Sequence, residues 1–375
     1  MSYDASARRD TPLALKLKAR IVAEGPIRVD EYIEACLYDA SHGYYVNREA
    51  IGARGDFITA PEISQIFGEL IGLWCVAVWD EMGRPTPFNL VEFGPGRGTL
   101  MRDALRAMRL RPAILAAVRV NLLDTSAAFT AQQRAALADL PVPIAWPGKL
   151  VHAADPTLPA IIIANEFLDT TPIEQFVRTA NGWATRRVGL DCDGALAFTT
   201  SADCPAPAAR QLEQRFPTAR QGEVCELYSF DHDFAVAILQ LPARVAALIL
   251  DYGHMRSSPG DTLQAVRGHV HEHPLTSPGE ADVTTQVDFQ QATESLGSSR
   301  ILVDGPVTQA EFLGALGIVE RASTLMAANP AKAMEIETAV ARLMSPAGMG
   351  GRFKALGLRS ADLPPLPGLP PGRRR

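Results

Sequence analysis

From Asn89 onward, short apolar runs alternate with helical segments, and this alternation leaves few folds open. "NLVEF" is followed by a helical stretch through Ala104 to Met108, then "VNLLD", a helical stretch through Gln132 to Leu137, "VPIAW" and "PAIIIANEF". Strands separated by crossover helices are parallel, so the pattern predicts an α/β fold. The next strand of this kind, "VAALILDYG", begins only at Val245. Between them, from Pro172 to Pro242, "IEQFVR", "WATRRVGL" and "ALAFTT" read as strands and "APAARQLEQRF" as a helix. This is an expected α+β insertion between strands 4 and 5, forming a lid or substrate wall over the strand ends.

Ahead of the sheet, "VDEYIEACLYD" spaces Val29, Tyr32, Ile33 and Cys36 on one helical face. In "TAPEISQIFGELIGLWCVAVW" the spacing predicts a capping box of Thr59 with Glu62, Pro61 in the first turn, and a buried stripe of Ile63, Ile66, Phe67, Leu70, Ile71 and Trp74. The expected organisation is an N-terminal helical region, 1–85, packed on the core. The first part of the core follows at 86–171, the insertion at 172–242 and the second part of the core at 243–360. A proline-rich tail, 361–375, is expected to be disordered.

A hydrophobic content of 47% over 375 residues can fill a real core, and a net charge of −6 provides no overall positive field for a nucleic-acid backbone or an anionic bilayer. Nucleic acid is therefore not an expected partner. Cys36, Cys75, Cys192, Cys204 and Cys225 contain no C-x-x-C pair, which fits a reducing compartment and neither a disulfide framework nor a zinc ribbon. "MSYDASARRD" shows no targeting peptide and no apolar run is long enough to span a membrane, so a soluble intracellular protein without membrane insertion is expected.

The chemistry concentrates in "LVEFGPGRGTL", residues 90–100. A Walker loop needs a Lys that is missing here, and G-x-G-x-x-G begun at Gly94 and Gly96 fails at Thr99, which disfavours a nicotinamide oxidoreductase. What remains is Glu92 closing a strand, with Gly94, Pro95, Gly96 and Gly98 turning into a helix. That arrangement suits S-adenosyl-L-methionine. An acid can hold its ammonium, backbone N–H groups can meet its carboxylate, and glycine permits close approach to the sulfonium. A dinucleotide would bring phosphate charge to Glu92, the wrong sign. At the end of the second strand Asp124, followed by Ser126, is placed to accept both ribose hydroxyls, although an Asp in this position serves equally as a helix cap.

Acceptor chemistry is expected outside the carboxyl end of the fourth strand, at "ANEFLDTTP". Asn165, Glu166 and Asp169 are the candidate catalytic residues. Two carboxylates there can grip a guanidinium and leave one nitrogen lone pair facing the methyl. The same spacing also serves a loop in which Glu166 accepts amides and Asp169 caps a turn. Asn-Glu-Phe-Leu differs from the N/D-P-P-Y run of base-methylating sites. His269, His271 and His273 alternate in "HVHEH" but have no supporting ligand cluster, so no metal is assigned.

The runs "HGYY", "GDFITAPEISQIFGELIGLW", "LVEFGPGRGTLMRD", "ANEFLDTTPIEQF", "GEADVTTQVDF" and "MGGRFKAL" together resemble the MidA family, from about Leu15 to Leu358. That family comprises mitochondrial complex I assembly factors that are protein arginine methyltransferases, with their bacterial relatives. The resemblance implies a class I, Rossmann-like seven-stranded methyltransferase fold and S-adenosyl-L-methionine as donor. It also implies a protein substrate, with symmetric dimethylation of an arginine on the 49-kDa subunit of complex I. It matches Glu92, Gly94, Gly96 and Gly98 to the donor turn, Asp124 to the ribose acid, and Asn165 with Glu166 to the loop after the fourth strand. The run containing Gly55, Asp56 and Thr59 is expected to fold over the donor. Gly351 stands where an acid is common in the family, and 169–171 is more polar than usual, which bears on the acceptor and leaves the donor turn untouched. The alternatives are a non-catalytic assembly chaperone that keeps the donor fold, and a methyltransferase acting on a small molecule.

Overall fold

The structure, a computed structural model, describes residues 8–47, 59–148, 155, 157–228 and 244–372. The chain divides into two compact units: residues 1–57, 169–229 and 256–291 form one, and residues 58–168, 230–255 and 292–375 the other.

The second unit carries the main sheet. Seven of that sheet's strands follow one path: β1 (Phe88–Phe93), β2 (Val118–Leu123), β3 (Ile144–Ala145), β4 (Ala160–Asn165), β5 (Val245–His254), β6 (Ile301–Thr308) and β7 (Phe353–Ser360). The path through them runs β6-β7-β5-β4-β1-β2-β3. β1 pairs in parallel with β2 (Phe88 opposite Val118) and with β4 (Asn89 opposite Ala160), while β7 enters antiparallel beside β5. Every residue of β1 and β4 is buried, as expected for parallel strands covered on both faces. The strand order reverses beside β1, so a crevice opens past the carboxyl ends of β1 and β4. The expected strands from Asn89 to Phe167 are present, although "VPIAW" contributes only two residues.

Helices α1 (Ala60–Ile63), α2 (Gln65–Glu81), α3 (Thr99–Met108), α4 (Pro112–Ala117) and α5 (Ala127–Ala136) belong to the same unit. The run from Thr59 is not one helix. Ser64 is extended (φ −155°, ψ 132°), and its hydroxyl accepts from Ile66 N at 3.3 Å, so α2 begins afresh there. The expected capping box does not form: the Thr59 side chain makes no cap bond, and the Glu62 carboxylate instead accepts from the Thr99 hydroxyl at 2.5 Å. The predicted stripe packs inward all the same, with Ile66, Phe67, Leu70, Ile71 and Trp74 buried. α2 and α3 touch through backbone: a Cβ on Gly72 would lie 2.4 Å from the Ala104 carbonyl oxygen. Glu69, buried between these helices, accepts from Arg106 at 3.0 Å and from Arg321 at 2.8 Å.

Residues 361–372, part of the tail expected to be disordered, pack into this unit. Leu363, Leu366 and Leu369 are buried in its core, and they recur every third residue, the period at which an extended proline-rich segment presents one side. The buried Asp304 carboxylate holds the segment, accepting from Arg359 Nε at 2.6 Å, Leu366 N at 2.9 Å and Gly372 N at 2.9 Å.

The other unit is built on an antiparallel sheet. Strands Ile27–Arg28, Gly182–Leu190, Ile173–Thr179 and Val224–Tyr228 follow in that order, and Leu196–Ser201 also pairs with Gly182–Leu190. The expected insertion strands and the helix Ala206–Arg215 therefore form. Phe176, Trp183, Leu212, Phe216, Cys225 and Leu227 make its small core. Helix Val29–Tyr38 buries Val29, Tyr32, Ile33 and Cys36 as its spacing requires. The unit boundaries depart from the expected partition. Residues 256–291, assigned to the second part of the core, supply a three-stranded sheet here, and the N-terminal segment joins through Ile27 opposite Val188, a pairing too distant in sequence for local patterns to reveal.

Gly72→Ala is expected to destabilise the protein by about 1–3 kcal/mol, because the added methyl has only backbone to move against. Gly148→Ala, facing open space, is expected to stay within about 0.5 kcal/mol of the parent in the same urea unfolding series.

Candidate active site

The glycine turn lines the crevice beside β1. Gly94, Gly96 and Gly98 have φ of 61°, 50° and 80°, a region that costs other residues about 1–2 kcal/mol each. Gly94 N donates to Leu123 O at 3.0 Å, which ties the turn to the end of β2, and Gly98 N donates to Pro95 O at 2.8 Å before α3 begins. A Cβ on Gly94 would lie 3.2 Å from the Phe167 ring, so the loop after β4 leans directly on the turn.

Glu92, two residues before Gly94, is 2% exposed, and its Oε2 has no hydrogen-bond partner among the described residues. Burial, followed by the charge of Asp124, pushes its carboxyl up to about 8. A buried carboxylate left in this state is costly unless a cation joins it. Asp124 follows β2, with Oδ1 accepting from Ser126 N at 2.8 Å and Oδ2 from Gln133 Nε2 at 2.8 Å. Burial raises its carboxyl as well, against these hydrogen bonds. Ser126 is buried, and its hydroxyl caps α5 by accepting from Phe129 N at 3.4 Å.

At the end of β4, Glu166 is held with φ of 51°, unusual for a residue with a side chain. Its N–H donates to Leu250 O at 2.8 Å, and its Oε1 accepts from Ala60 N and Asn165 Nδ2, each at 3.2 Å. The bend is fixed from β5: fully buried Asp251 accepts through Oδ2 from Phe167 N at 3.1 Å and Leu168 N at 2.9 Å. Thr59 stands at the start of α1, one residue before Ala60.

The turn, Glu92, Asp124 and Ser126 are thus gathered at the ends of β1 and β2, and Asn165, Glu166 and Thr59 at the end of β4. Asp169 belongs to the other unit, where its carbonyl accepts from Thr285 N at 3.0 Å. In that unit the Tyr45 hydroxyl donates to Asp282 at 3.0 Å, and burial, then Asp282 and Asp169, raise its titration well above the usual range. Gly55 and Asp56 lie outside the described residues. The three histidines do not share a face. His269 sits in a turn with φ of 63°, His271 is exposed on a strand, and half-buried His273 accepts from Leu275 N at 3.2 Å with its imidazole lowered to about 4 by burial. Among the described residues no group of three or more His, Cys, Asp or Glu is arranged to hold a metal ion, and no helix is long and apolar enough to cross a membrane.

Two buried polar residues escape a sequence reading. Asp251 sits within an apolar strand run, where its position gives no hint that it faces a loop from another segment. Gln133 lies inside a helical segment, and the one signal it offers is a polar residue on the side of α5 that also buries Phe129.

Residues 70–307 match a family model described as an S-adenosyl-L-methionine-dependent methyltransferase. The chain is 35% identical to the protein arginine methyltransferase NDUFAF7, mitochondrial, of Danio rerio, over 90% of this chain and 84% of that protein. It is 34% identical to the Homo sapiens protein of the same name, over 93% and 83%. A crystal structure from Burkholderia thailandensis bound to S-adenosyl-homocysteine superposes with a TM-score of 0.86 at 27% identity, covering 95% of this chain and 94% of that one.

Glu92 yields a stability test whose sign is fixed by burial. Its carboxyl titrates near 4.5 when unfolded and near 8 when folded, so between these values the folded state holds the extra proton. Stability therefore falls as pH rises through that window. Glu92→Gln is expected to flatten this part of the profile and to melt higher than the parent at about pH 8, as calorimetry of the donor-free protein can read.

Proposed function

Since the chain belongs to the family of S-adenosyl-L-methionine-dependent methyltransferases, we propose that it methylates an arginine nitrogen of a protein substrate. The observation that carries this reading is the match to proteins named as arginine methyltransferases across nine-tenths of the chain. Following the family resemblance, the acceptor is an arginine on the 49-kDa-type subunit of respiratory complex I. It is dimethylated symmetrically during assembly of that complex, in the cytoplasm of a bacterium.

The residues fit the donor. In this reading Glu92, whose buried Oε2 has no hydrogen-bond partner among the described residues, holds the donor's ammonium, and the turn of Gly94, Pro95, Gly96 and Gly98, bare of side chains at its glycines, lets the donor come close to the backbone. Asp124 accepts from the ribose hydroxyls, with Ser126 holding the loop and Thr59 closing over it. S-adenosyl-L-methionine supplies an electrophilic methyl on a sulfonium, so the protein needs no covalent intermediate and works by placement. Asn165 and Glu166 end β4 beside the glycine turn, and Glu166 grips the guanidinium N–H groups. Held this way, the positive charge is drawn toward the carboxylate and one nitrogen keeps its lone pair for attack. Glu166 then takes the proton released once the nitrogen carries the methyl. The left-handed bend at Glu166 supports this role, since strain of about 1–3 kcal/mol persists only where surrounding bonds impose it.

Two substitutions separate donor from acceptor. Asp124→Ala is expected to weaken donor binding by about 1–3 kcal/mol in calorimetry. Glu166→Gln is expected to leave donor affinity within about twofold and to cut transfer by about 100-fold or more, and full turnover by this variant would return Glu166 to a structural part. The acceptor is tested by incubating the protein with labelled donor and a lysate of its host, then locating the label by mass spectrometry; label on a residue other than arginine would sink the reading.

A further inference from the structure

Gln133 is fully buried on α5, with its aliphatic stem against Gly98 of the glycine turn. Its Nε2 donates to the Gly96 carbonyl at 2.7 Å and to Asp124 Oδ2 at 2.8 Å, while its Oε1 accepts from Trp146 Nε1 at 2.9 Å. An indole nitrogen can only donate, so the amide has a single consistent orientation, with the oxygen toward Trp146 and both N–H bonds toward acceptors. Trp146 is itself held, with the Arg134 guanidinium 4.0 Å above its ring. One side chain thus fastens the middle of the glycine turn to the acid at the end of β2.

We propose that Gln133 is a positioning residue for donor binding, which locks Asp124 and the Gly96 peptide into the arrangement that receives the ribose. With Oδ2 on Gln133, Oδ1 on Ser126 N and the Thr125 backbone donating as well, the Asp124 carboxylate is held in one orientation, and of its roughly four lone-pair sites the remainder faces hydroxyl donors. The Gly96 carbonyl points to Gln133, so the trans peptide turns the following N–H of Arg97 to the opposite side. An alanine or leucine at position 133 would fill space and supply neither bond. This inference rests on the reading that Asp124 accepts from the ribose hydroxyls, and the test keeps the two apart.

Binding of S-adenosyl-homocysteine and of its 2′,3′-dideoxy analogue is measured by calorimetry for the parent, Gln133→Leu, Asp124→Ala and the double variant. Gln133→Leu is expected to weaken the hydroxylated ligand by about tenfold or more and the analogue by less than about twofold. The double variant is expected to be no weaker than Asp124→Ala alone, since the two residues act as one unit. If Asp124→Ala fails to distinguish the ligands, the ribose reading falls and takes the inference with it. If Asp124→Ala distinguishes them but Gln133→Leu weakens both equally or neither, the inference alone is overturned. Gln133→Glu keeps the size of the side chain and guards against a folding failure of the leucine variant. Its carboxylate faces Asp124 and the Gly96 oxygen, so its affinity for the hydroxylated ligand, relative to the parent, is expected to fall as pH rises from about 6 to about 8.5 and to return on acidification. A relative profile that stays flat overturns the proposal.

Discussion

The reversal of strand order beside β1 is the constraint on which the site depends. β1 is hydrogen-bonded to β2 on one side and β4 on the other, and connections leave in opposite directions, so no crossover covers its carboxyl end. The backbone emerging there must turn sharply into α3 while staying open to a ligand, and three glycines in left-handed conformations meet that demand. Complete burial of β1 and β4 makes the floor of the crevice rigid, and Glu92, the next-to-last residue of β1, is placed in it without a choice of position.

Electrostatics then select what the crevice can hold. Burial raises both carboxyls, Glu92 and Asp124, the charge of Asp124 adds to the rise at Glu92, and Glu92 has an oxygen with no hydrogen bond among the described residues. Such a pair rejects phosphates and rewards a cation. A positively charged nucleoside therefore fits where a dinucleotide does not, which accords with the methyltransferase family of the chain.

Much of this was legible in the sequence because its signals are local. Strand alternation, the glycine turn, Asp124 after β2 and the acid at the end of β4 are each written within a dozen residues. What escaped depends on partners far along the chain. Glu62 has the spacing of a capping box, but Thr99, brought close by folding, takes its carboxylate, and Ser64 restarts the helix. Gln133 and Asp251 look like ordinary helix and strand residues until the turn and the β4 loop arrive beside them. Residues 256–291 likewise follow β5 in sequence and yet join a different sheet.

The segment after β7 carries a consequence for biosynthesis. Asp304 and Arg359 are buried as an ion pair, and the carboxylate needs the N–H groups of Leu366 and Gly372 to complete its hydrogen bonds. While the ribosome still encloses those residues, the nascent protein already has β1 through β5 outside the exit tunnel but cannot seal its edge. Until synthesis has passed Gly372, the Asp304 carboxylate lacks two of the N–H groups that complete its hydrogen bonds.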